Sequence, residues 1–178
     1  DVLCPDLAKK LKRWLHVINV VHFGTPCTSM SRARKNDGGP PPLRSESHVR
    51  GLPGLAAHDN EKVRMGNLFA DLTLDLIDLL REDQFWSVEN PLSSFLWLQP
   101  RWIKRAIGMF TIIFDMCAYG HKSKKPTKIL TNCQHLKQLA KSCSCSAKFV
   151  HEKLVGKVWD PISRRQVYRT KLAQVYPA

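Results

Sequence analysis

A cysteine followed by two arginines is the first feature of this sequence that could carry chemistry. The stretch HFGTPCTSMSRAR places Cys27 after a hydrophobic run that ends at Gly24, and Arg32 and Arg34 follow within seven residues of the cysteine. Nearby positive charge and exposed backbone N–H groups favour the thiolate, which is the nucleophilic form of cysteine. The sequence therefore predicts a nucleophilic Cys27, and the alternative is an inert, partly buried thiol.

A glutamate in the segment VENP is the second candidate group. Glu89 emerges from an apolar run, and partial desolvation there would suit the carboxyl group to proton donation. The alternative is a structural carboxylate that binds a backbone turn or an arginine. The functional interpretation depends on whether Cys27 and Glu89 work as a pair.

Apolar periodicity predicts the elements that would position these two groups. The predicted elements are, in chain order, a helix over 5–15, a strand over 17–24, a helix over 61–82, a strand over 84–91, a short basic helix over 101–107, a strand over 109–120 and a hairpin strand over 126–132. Gly24 ends the first strand, and the pair Asn90–Pro91 ends the second.

Strands that alternate with helices predict an α/β fold with a mainly parallel sheet and helices on both faces. The last two strands add an antiparallel hairpin to this sheet. In such sheets the chemistry collects at the carboxyl ends of the strands. Cys27 follows the first strand and Glu89 ends the second, so we expect both side chains on the same rim of the sheet.

We expect residues 1–178 to form a single, partial domain. The chain is long enough to bury a core. Residues 31–60 are rich in Gly, Pro and charge and predict a long loop, which in a compact domain is usually functional or disordered. Residues 133–178 have weaker patterns and are assigned to a C-terminal extension. The chain opens at DVLCPDL without Met and closes at VYPA, and we expect it to be a fragment of a longer protein.

The net charge predicts the class of binding partner, and the cysteine content predicts the cellular compartment. A net charge of +13 predicts a polyanionic partner, with nucleic acid favoured over a membrane surface or mere solubility. No apolar run reaches the length of about 18 residues that would predict a membrane span. Six cysteines without a visible export signal predict an intracellular, reducing compartment, either nucleus or cytoplasm.

Three ordered motifs resemble those of the cytosine-5 DNA methyltransferases. TPCTSMSRAR is similar to that family's Pro-Cys motif with a following Ser, VENP to its Glu-Asn-Val motif, and YGHKSKKPT to its basic motif before a late strand. The late hairpin resembles the antiparallel seventh strand of S-adenosylmethionine-dependent methyltransferases. The residue pattern resembles a divergent branch found in mobile-element and phage-like polyproteins more than it resembles the standard enzymes. The resemblance covers roughly residues 1–132.

The resemblance implies the C-terminal half of a Rossmann-like methyltransferase sheet and a DNA methyltransferase activity. Cys27 would attack C6 of a flipped cytosine and make C5 nucleophilic toward the methyl group of S-adenosyl-L-methionine. Glu89 would hold or protonate N3 and the exocyclic amine, and the loop 31–60 would close over the gap. The resemblance also implies cofactor contacts by Asp1, Thr25, Pro26 and Asn90, and nucleic-acid contacts by Ser29, Arg32, Arg34, Lys124, Lys125 and Thr127.

Two alternatives follow from departures from the family pattern. The Gly-rich cofactor motif and the first strands are missing from this sequence, so a basic, non-catalytic nucleic-acid-binding module that keeps the methyltransferase fold is the second interpretation. ENPLSS also resembles the Asn-Pro-Pro-aromatic motif of amino-methyltransferases, which is the second enzyme alternative. Pro91 stands in place of Val, and lysines stand in place of arginine in the basic motif, where lysine cannot form a bidentate fork.

The C-terminal part contains potential metal ligands, namely Cys133, His135, Cys143, Cys145 and His151. Two cysteines separated by one residue are a poor zinc spacing, because two to four intervening residues are usual. The spacing therefore favours a Cys-rich loop over a metal site, and no metal is predicted. Cys4 and Cys117 lie in apolar neighbourhoods and are predicted to be core residues.

Overall fold

A four-stranded mixed sheet forms the centre of the fold in the computed structural model, which describes residues 5–32, 34, 40–146 and 148–173. Its strands are β1 (Val20–Gly24), β2 (Phe85–Pro91), β3 (Phe110–Asp115) and β4 (Pro126–Thr131). A separate hairpin consists of β5 (Lys157–Asp160) and β6 (Arg165–Tyr168). The helices are α1 (Pro5–Leu15), α2 (Ala57–Ile77), α3 (Pro100–Arg105) and α4 (Arg169–Leu172), and 3₁₀ turns cover Phe95–Leu98, Met116–Tyr119 and Gln134–Leu139.

The strand order in the main sheet is β1-β2-β4-β3. β1 pairs in parallel with β2, whereas β4 is antiparallel to both of its neighbours. The α/β class and the closing hairpin are thus confirmed, but the prediction of a mainly parallel sheet is wrong, because two of the three pairings are antiparallel. The reason is the placement of β4, which lies between β2 and β3 and keeps those two strands from pairing.

The common direction of β1, β2 and β3 is nevertheless retained. β4 runs opposite to both β2 and β3, so these two strands share one direction, and β1 shares it through its parallel pairing with β2. The carboxyl ends of three strands therefore lie at the same edge of the sheet. This is the edge at which ligands bind in open α/β sheets.

Both faces of the sheet are covered by helical segments. On one face, Val88 and its register partner Leu130 are fully buried with Leu74 of α2 and Trp102 of α3. On the other face, Ile112 and Ile129 pack with residues of the 3₁₀ turn Gln134–Leu139. Alternating side chains of β4 thus contribute to both clusters, as the strand period of two requires.

The boundaries of α2 and β3 differ from the predicted ones. α2 begins at Ala57 rather than at Glu61 and ends at Ile77 rather than near Glu82. The apolar period that predicts the later end continues into the turn that leads to β2. β3 ends at Asp115, and a 3₁₀ turn follows that is closed by Gly120 in the left-handed region (φ 90°). The chain leaves the end of β3 in this turn and then returns as β4.

A buried arginine anchors the described part of the long loop to α2. Arg44 is 3 % exposed and donates hydrogen bonds to the backbone oxygens of Ser29, Val49 and Val63 and to the side chain of Asn67. Burial lowers the pKa of Arg44 to about 10, so the guanidinium stays charged at neutral pH. Residues 40–56 are therefore tied to the helix, and closure of the loop 31–60 over a base stays a prediction.

Candidate active site at the carboxyl edge of the sheet

Cys27 and Glu89 lie at the same edge of the sheet, as the strand pattern predicts. Gly24 at the end of β1 is the register partner of Glu89 in β2, and Cys27 follows Gly24 by three residues. The Glu89 carboxylate raises the pKa of the Cys27 thiol, so the two groups are close enough to interact. We call this region, residues 24–27 together with 89–91, the carboxyl rim.

The electrostatics of Cys27 differ from the prediction made from its neighbours in sequence. Burial is the main cause that raises the pKa of this partly buried thiol, and Glu89 raises it further. The positive charge of Lys125 lowers the pKa and partly offsets these effects. Cys27 thus rests as a thiol, and the cation beside it comes from the segment before β4 rather than from Arg32 or Arg34.

Arg32 and Arg34 instead hold the loop that follows the cysteine. Arg32 pairs with Glu46 at 2.8 Å, and its guanidinium lies 4.7 Å from the ring centre of Phe95. Arg34 donates a hydrogen bond of 2.9 Å to the carbonyl oxygen of Pro41. The expectation that both arginines favour a thiolate at Cys27 is therefore wrong, because their guanidinium groups are directed toward loop partners. Phosphate contact by these two residues stays a prediction.

The two strand ends are joined by a buried side-chain hydrogen bond. The Asn90 amide nitrogen donates to the carbonyl oxygen of Thr25 over 2.7 Å, and Asn90 is 1 % exposed. The Thr25 hydroxyl donates to the hydroxyl of Thr73 in α2, which in turn donates to the carbonyl oxygen of Phe69. These bonds fix the backbone that leads into Cys27 relative to both β2 and α2.

One acceptor at the rim has no partner among the described residues. The side-chain oxygen of Asn90 is buried and makes no hydrogen bond there, although buried polar atoms usually do. The amide nitrogen of the same side chain is already committed to Thr25. Asn90 thus offers one unsatisfied acceptor beside the cysteine loop.

Two predicted nucleic-acid contacts are buried and serve the fold instead. Ser29 is 5 % exposed, and its hydroxyl accepts a hydrogen bond from Arg44. A side chain at Gly66 of α2 would collide with the Ser29 hydroxyl, so this glycine permits the close approach of loop and helix. Thr127 is fully buried, and its hydroxyl donates to the carbonyl oxygen of Lys125. Ser29 and Thr127 are therefore excluded as phosphate contacts in this conformation.

The two predicted lysines stand at the entrance to β4. Lys124 is about half exposed, with its ammonium 3.7 Å from a carboxylate oxygen of Asp115. Lys125 donates a hydrogen bond of 2.7 Å to the carbonyl oxygen of Ala173 and has a left-handed backbone (φ 38°). Of the predicted nucleic-acid contacts, Lys125 is the one whose charge acts on Cys27.

The positive charge is distributed very unevenly along the chain. Residues 121–178 contain thirteen Lys and Arg but two acidic residues, whereas residues 1–120 contain fifteen basic and thirteen acidic residues. Several arginines of the first part pair with carboxylates on and after α2, including the pairs Arg50–Asp71, Arg101–Asp75 and Arg105–Asp78. The excess of basic residues therefore lies in residues 121–178, a segment that begins just before Lys124.

The residues predicted to bind S-adenosyl-L-methionine, as far as the structure describes them, do not all line one cleft. Asp1 lies outside the described residues. Pro26 lines a cleft of about 270 Å³ between the cysteine loop and α2, but Thr25 and Asn90 are not among its lining residues. The side chains of Thr25 and Asn90 are buried and form the hydrogen bonds at the strand ends. Within the described part of the chain, the side-chain oxygen of Asn90 remains without a hydrogen-bond donor. Cofactor contacts by these four residues therefore stay a prediction.

A second cluster of reactive side chains lies beyond β3. The ligand atoms of Cys117, Cys143, Cys145 and His151 all lie within 4.8 Å of one another. Cys117 is not the core residue that its apolar neighbours predict, because it belongs to this partly buried group. Sequence spacing missed the cluster, since its first member is separated from the others by β4 and the 3₁₀ turn that follows.

Comparison with protein-family models, with curated proteins and with solved structures finds no match to this chain. Within the described ranges, every helix is too short or too polar to cross a lipid bilayer.

Proposed function

We propose that the carboxyl rim is the nucleophile-and-carboxylate half of a cytosine-5 methyltransferase-type site that acts on a nucleic-acid base. The observation that carries this proposal is the shared edge of Cys27 and Glu89: the last residue of β1, three residues before Cys27, is the register partner of Glu89 in the parallel strand β2. A thiol and a carboxylate at adjacent strand ends can act on one planar ring, with Cys27 as nucleophile and Glu89 as the proton-handling group. The antiparallel β4, which the family resemblance implies, supports the same interpretation.

The chemistry assigned to the rim uses this chain's own residues. The resting thiol of Cys27 transfers its proton through Glu89 to N3 of cytosine as the sulfur bonds to C6. The C5–C6 double bond breaks, and its electron pair makes C5 nucleophilic. Water then protonates C5 and leaves hydroxide, which removes the original C5 hydrogen as a proton. As the bond between sulfur and C6 breaks, N3 returns its proton through Glu89 to the sulfur, so that the thiol and an intact cytosine are restored. In the family, S-adenosyl-L-methionine supplies a methyl group to C5, whereas the exchange of the C5 hydrogen needs no methyl donor.

Nucleic acid is the proposed partner because of the position of the basic segment. Its charge is concentrated in residues 121–178, and the Lys125 ammonium acts on the thiol itself. A polyanion bound along this segment would bring its bases close to the carboxyl rim. DNA is favoured over RNA by the family resemblance.

The test is exchange of the C5 hydrogen of cytosine, measured as release of tritium from DNA that carries [5-³H]cytosine. Exchange needs the nucleophile and the carboxylate but no methyl donor. We expect slow release by the native chain and loss of release, by about 100-fold or more, in Cys27→Ser and in Glu89→Gln. Cys133→Ser is the matched control, since Cys133 is also a partly buried free thiol but is not at the rim.

The outcomes separate the candidate functions. Equal release by the native chain and Cys27→Ser would overturn the nucleophile assignment. Binding to DNA without any exchange would establish the second function, a basic non-catalytic nucleic-acid-binding module, which the resting thiol favours. Methyl transfer is tested separately with duplex DNA containing 5-fluorocytosine and S-adenosyl-L-methionine, where a covalent adduct that depends on Cys27 would show that the protein also uses a methyl donor.

A further inference from the structure

Three thiols and an imidazole converge beyond the end of β3. The group, here named the Cys₃His cluster, consists of Cys117, Cys143, Cys145 and His151, and its ligand atoms lie within 4.8 Å of one another. The Cys143 sulfur is 3.5 Å from the Nε2 atom of His151. Cys143 and Cys145 have one residue between them in sequence, whereas Cys117 lies before them in the chain and His151 after them.

The separations match those of a tetrahedral metal site. With zinc–sulfur bonds of about 2.3 Å and zinc–nitrogen bonds of about 2.0–2.1 Å, tetrahedral geometry places a sulfur and a nitrogen about 3.6 Å apart and two sulfurs about 3.8 Å apart. The Cys143–His151 distance agrees with the first value. The remaining ligand atoms lie close enough to reach the second with small side-chain rotations.

Hydrogen bonds hold the ligand-bearing segments together independently of any metal. The Asp115 N–H at the end of β3 donates to the carbonyl oxygen of Lys141, and the Asp115 carboxylate accepts the N–H of Cys143 at 2.8 Å. Beyond the histidine, the Glu152 N–H donates to the carbonyl oxygen of Lys122 at 3.1 Å. The segment 141–152 is thus fastened at both ends to the connection between β3 and β4, which preorganises the cluster.

We propose that the Cys₃His cluster binds one zinc ion in a closed, structural site. Three thiolates with one imidazole are a soft donor set that suits zinc and excludes calcium and magnesium, which prefer oxygen ligands. Four protein ligands fill a tetrahedral zinc ion and leave no open position for catalysis. Three thiolates and Zn²⁺ together carry one negative charge, and the nearby ammonium of Lys124 complements it.

The zinc site fastens the basic segment beside the carboxyl rim. Cys117 precedes and His151 follows the connection that carries Lys124 and Lys125, so a metal bound to both limits the positions those lysines can adopt. This role depends on the fold and on the cluster; it does not require that Cys27 act as a nucleophile.

The test is metal content and metal geometry of the purified, reduced chain. We expect about one zinc per chain, and Co²⁺ in its place should give the sulfur-to-cobalt charge-transfer and tetrahedral ligand-field bands of a three-thiolate site. Cys117→Ser, Cys145→Ser and His151→Asn should each weaken zinc binding by at least tenfold, an order-of-magnitude expectation for loss of a ligand. Cys133→Ser and His135→Asn are the matched controls and should retain the native zinc content, because neither residue belongs to the cluster.

X-ray absorption of the native protein keeps the proposal testable even where a ligand variant fails to fold. We expect three sulfur neighbours at about 2.3 Å and one nitrogen at about 2.0–2.1 Å from the metal. Less than a tenth of a zinc per chain after growth with zinc, a metal shell without sulfur, or equal loss of zinc in Cys133→Ser would overturn the proposal. A disulfide among the three thiols under reducing conditions, detected by mass, would do the same.

Discussion

The side chain of Asn90 holds the backbone of Thr25 through a buried hydrogen bond of 2.7 Å, two residues before Cys27. The bond joins the carboxyl ends of two parallel strands that pair directly in the sheet and that the chain links through α2. The position of the cysteine relative to Glu89 therefore depends on this amide as well as on the ladder between β1 and β2.

Asn90→Ala is expected to lower the free energy of unfolding by about 1–3 kcal/mol, because the buried Thr25 carbonyl loses its donor. Urea denaturation measures the change. Asn60→Ala, on an exposed position of α2, is the control and should change stability little. A change at Asn90 no larger than that at Asn60 would show that the carbonyl finds another donor.

Replacement of Arg44 by Met is expected to destabilise the chain by at least about 2 kcal/mol, since several buried oxygens lose a charged donor. Limited proteolysis should also cut within residues 40–56 faster than in the native chain. Arg64→Ala removes an exposed guanidinium that pairs with Glu61 on α2, and it should have little effect. Unchanged proteolysis in the Arg44 variant would mean that the loop is held by other contacts.

The raised pKa of Cys27 predicts slow alkylation near neutral pH, with a rate that rises as the pH passes above the ordinary range of a free thiol. Glu89→Gln removes a cause of the raised pKa and should speed alkylation at pH 8. Lys125→Met removes the cation that lowers the pKa and should slow it. Each effect can reach about tenfold for a change of one unit in pKa. Iodoacetamide labelling, quantified by mass spectrometry of the Cys27 peptide, measures these rates.

Glu89→Gln thus has opposite expected effects on two reactions of the same sulfur. It should accelerate alkylation by a small reagent and abolish hydrogen exchange at cytosine C5. If substitutions at the rim merely disordered it, both Glu89→Gln and Lys125→Met would speed alkylation, because each would expose the Cys27 thiol. Acceleration by both variants would therefore contradict the assignment of charges around Cys27.

Binding to DNA is expected to weaken linearly with the logarithm of salt concentration. Lys124→Gln should reduce the magnitude of the slope by about 0.9, the value for loss of one phosphate contact on a duplex. Arg64→Ala lies in the nearly neutral first part of the chain and should leave the slope unchanged. Fluorescence anisotropy between about 50 and 200 mM salt gives the slopes. Equal slopes for Lys124→Gln and the native chain would exclude Lys124 as a phosphate contact.

The shared edge of Cys27 and Glu89 could be predicted from sequence because it depends on local patterns. Apolar runs end at Gly24 and Pro91, and a helix between them is long enough for a crossover, which makes the two strands parallel. The position of β4 could not be predicted, because periodicity defines a strand but not its neighbours. A hairpin partner of β3 is compatible with either side of that strand.

The charges around the cysteine illustrate a second limit. Arg32 lies five residues from Cys27 in sequence, yet its partners are Glu46 and Phe95. Lys125 lies far away in sequence but acts on the thiol. Cys117 likewise meets Cys143 only in three dimensions, so a search for closely spaced ligands misses it.

The two hydrogen bonds of Asp115 also suggest an order of events during folding. Its N–H and its carboxylate hold Lys141 and Cys143, so the late segment has its docking points only after the end of β3 has formed. Docking of this segment would bring Cys143 to Cys117. The absorbance of bound cobalt would therefore report when tertiary structure is complete. During refolding we expect it to appear after the far-ultraviolet circular dichroism signal of the helices has reached its final value.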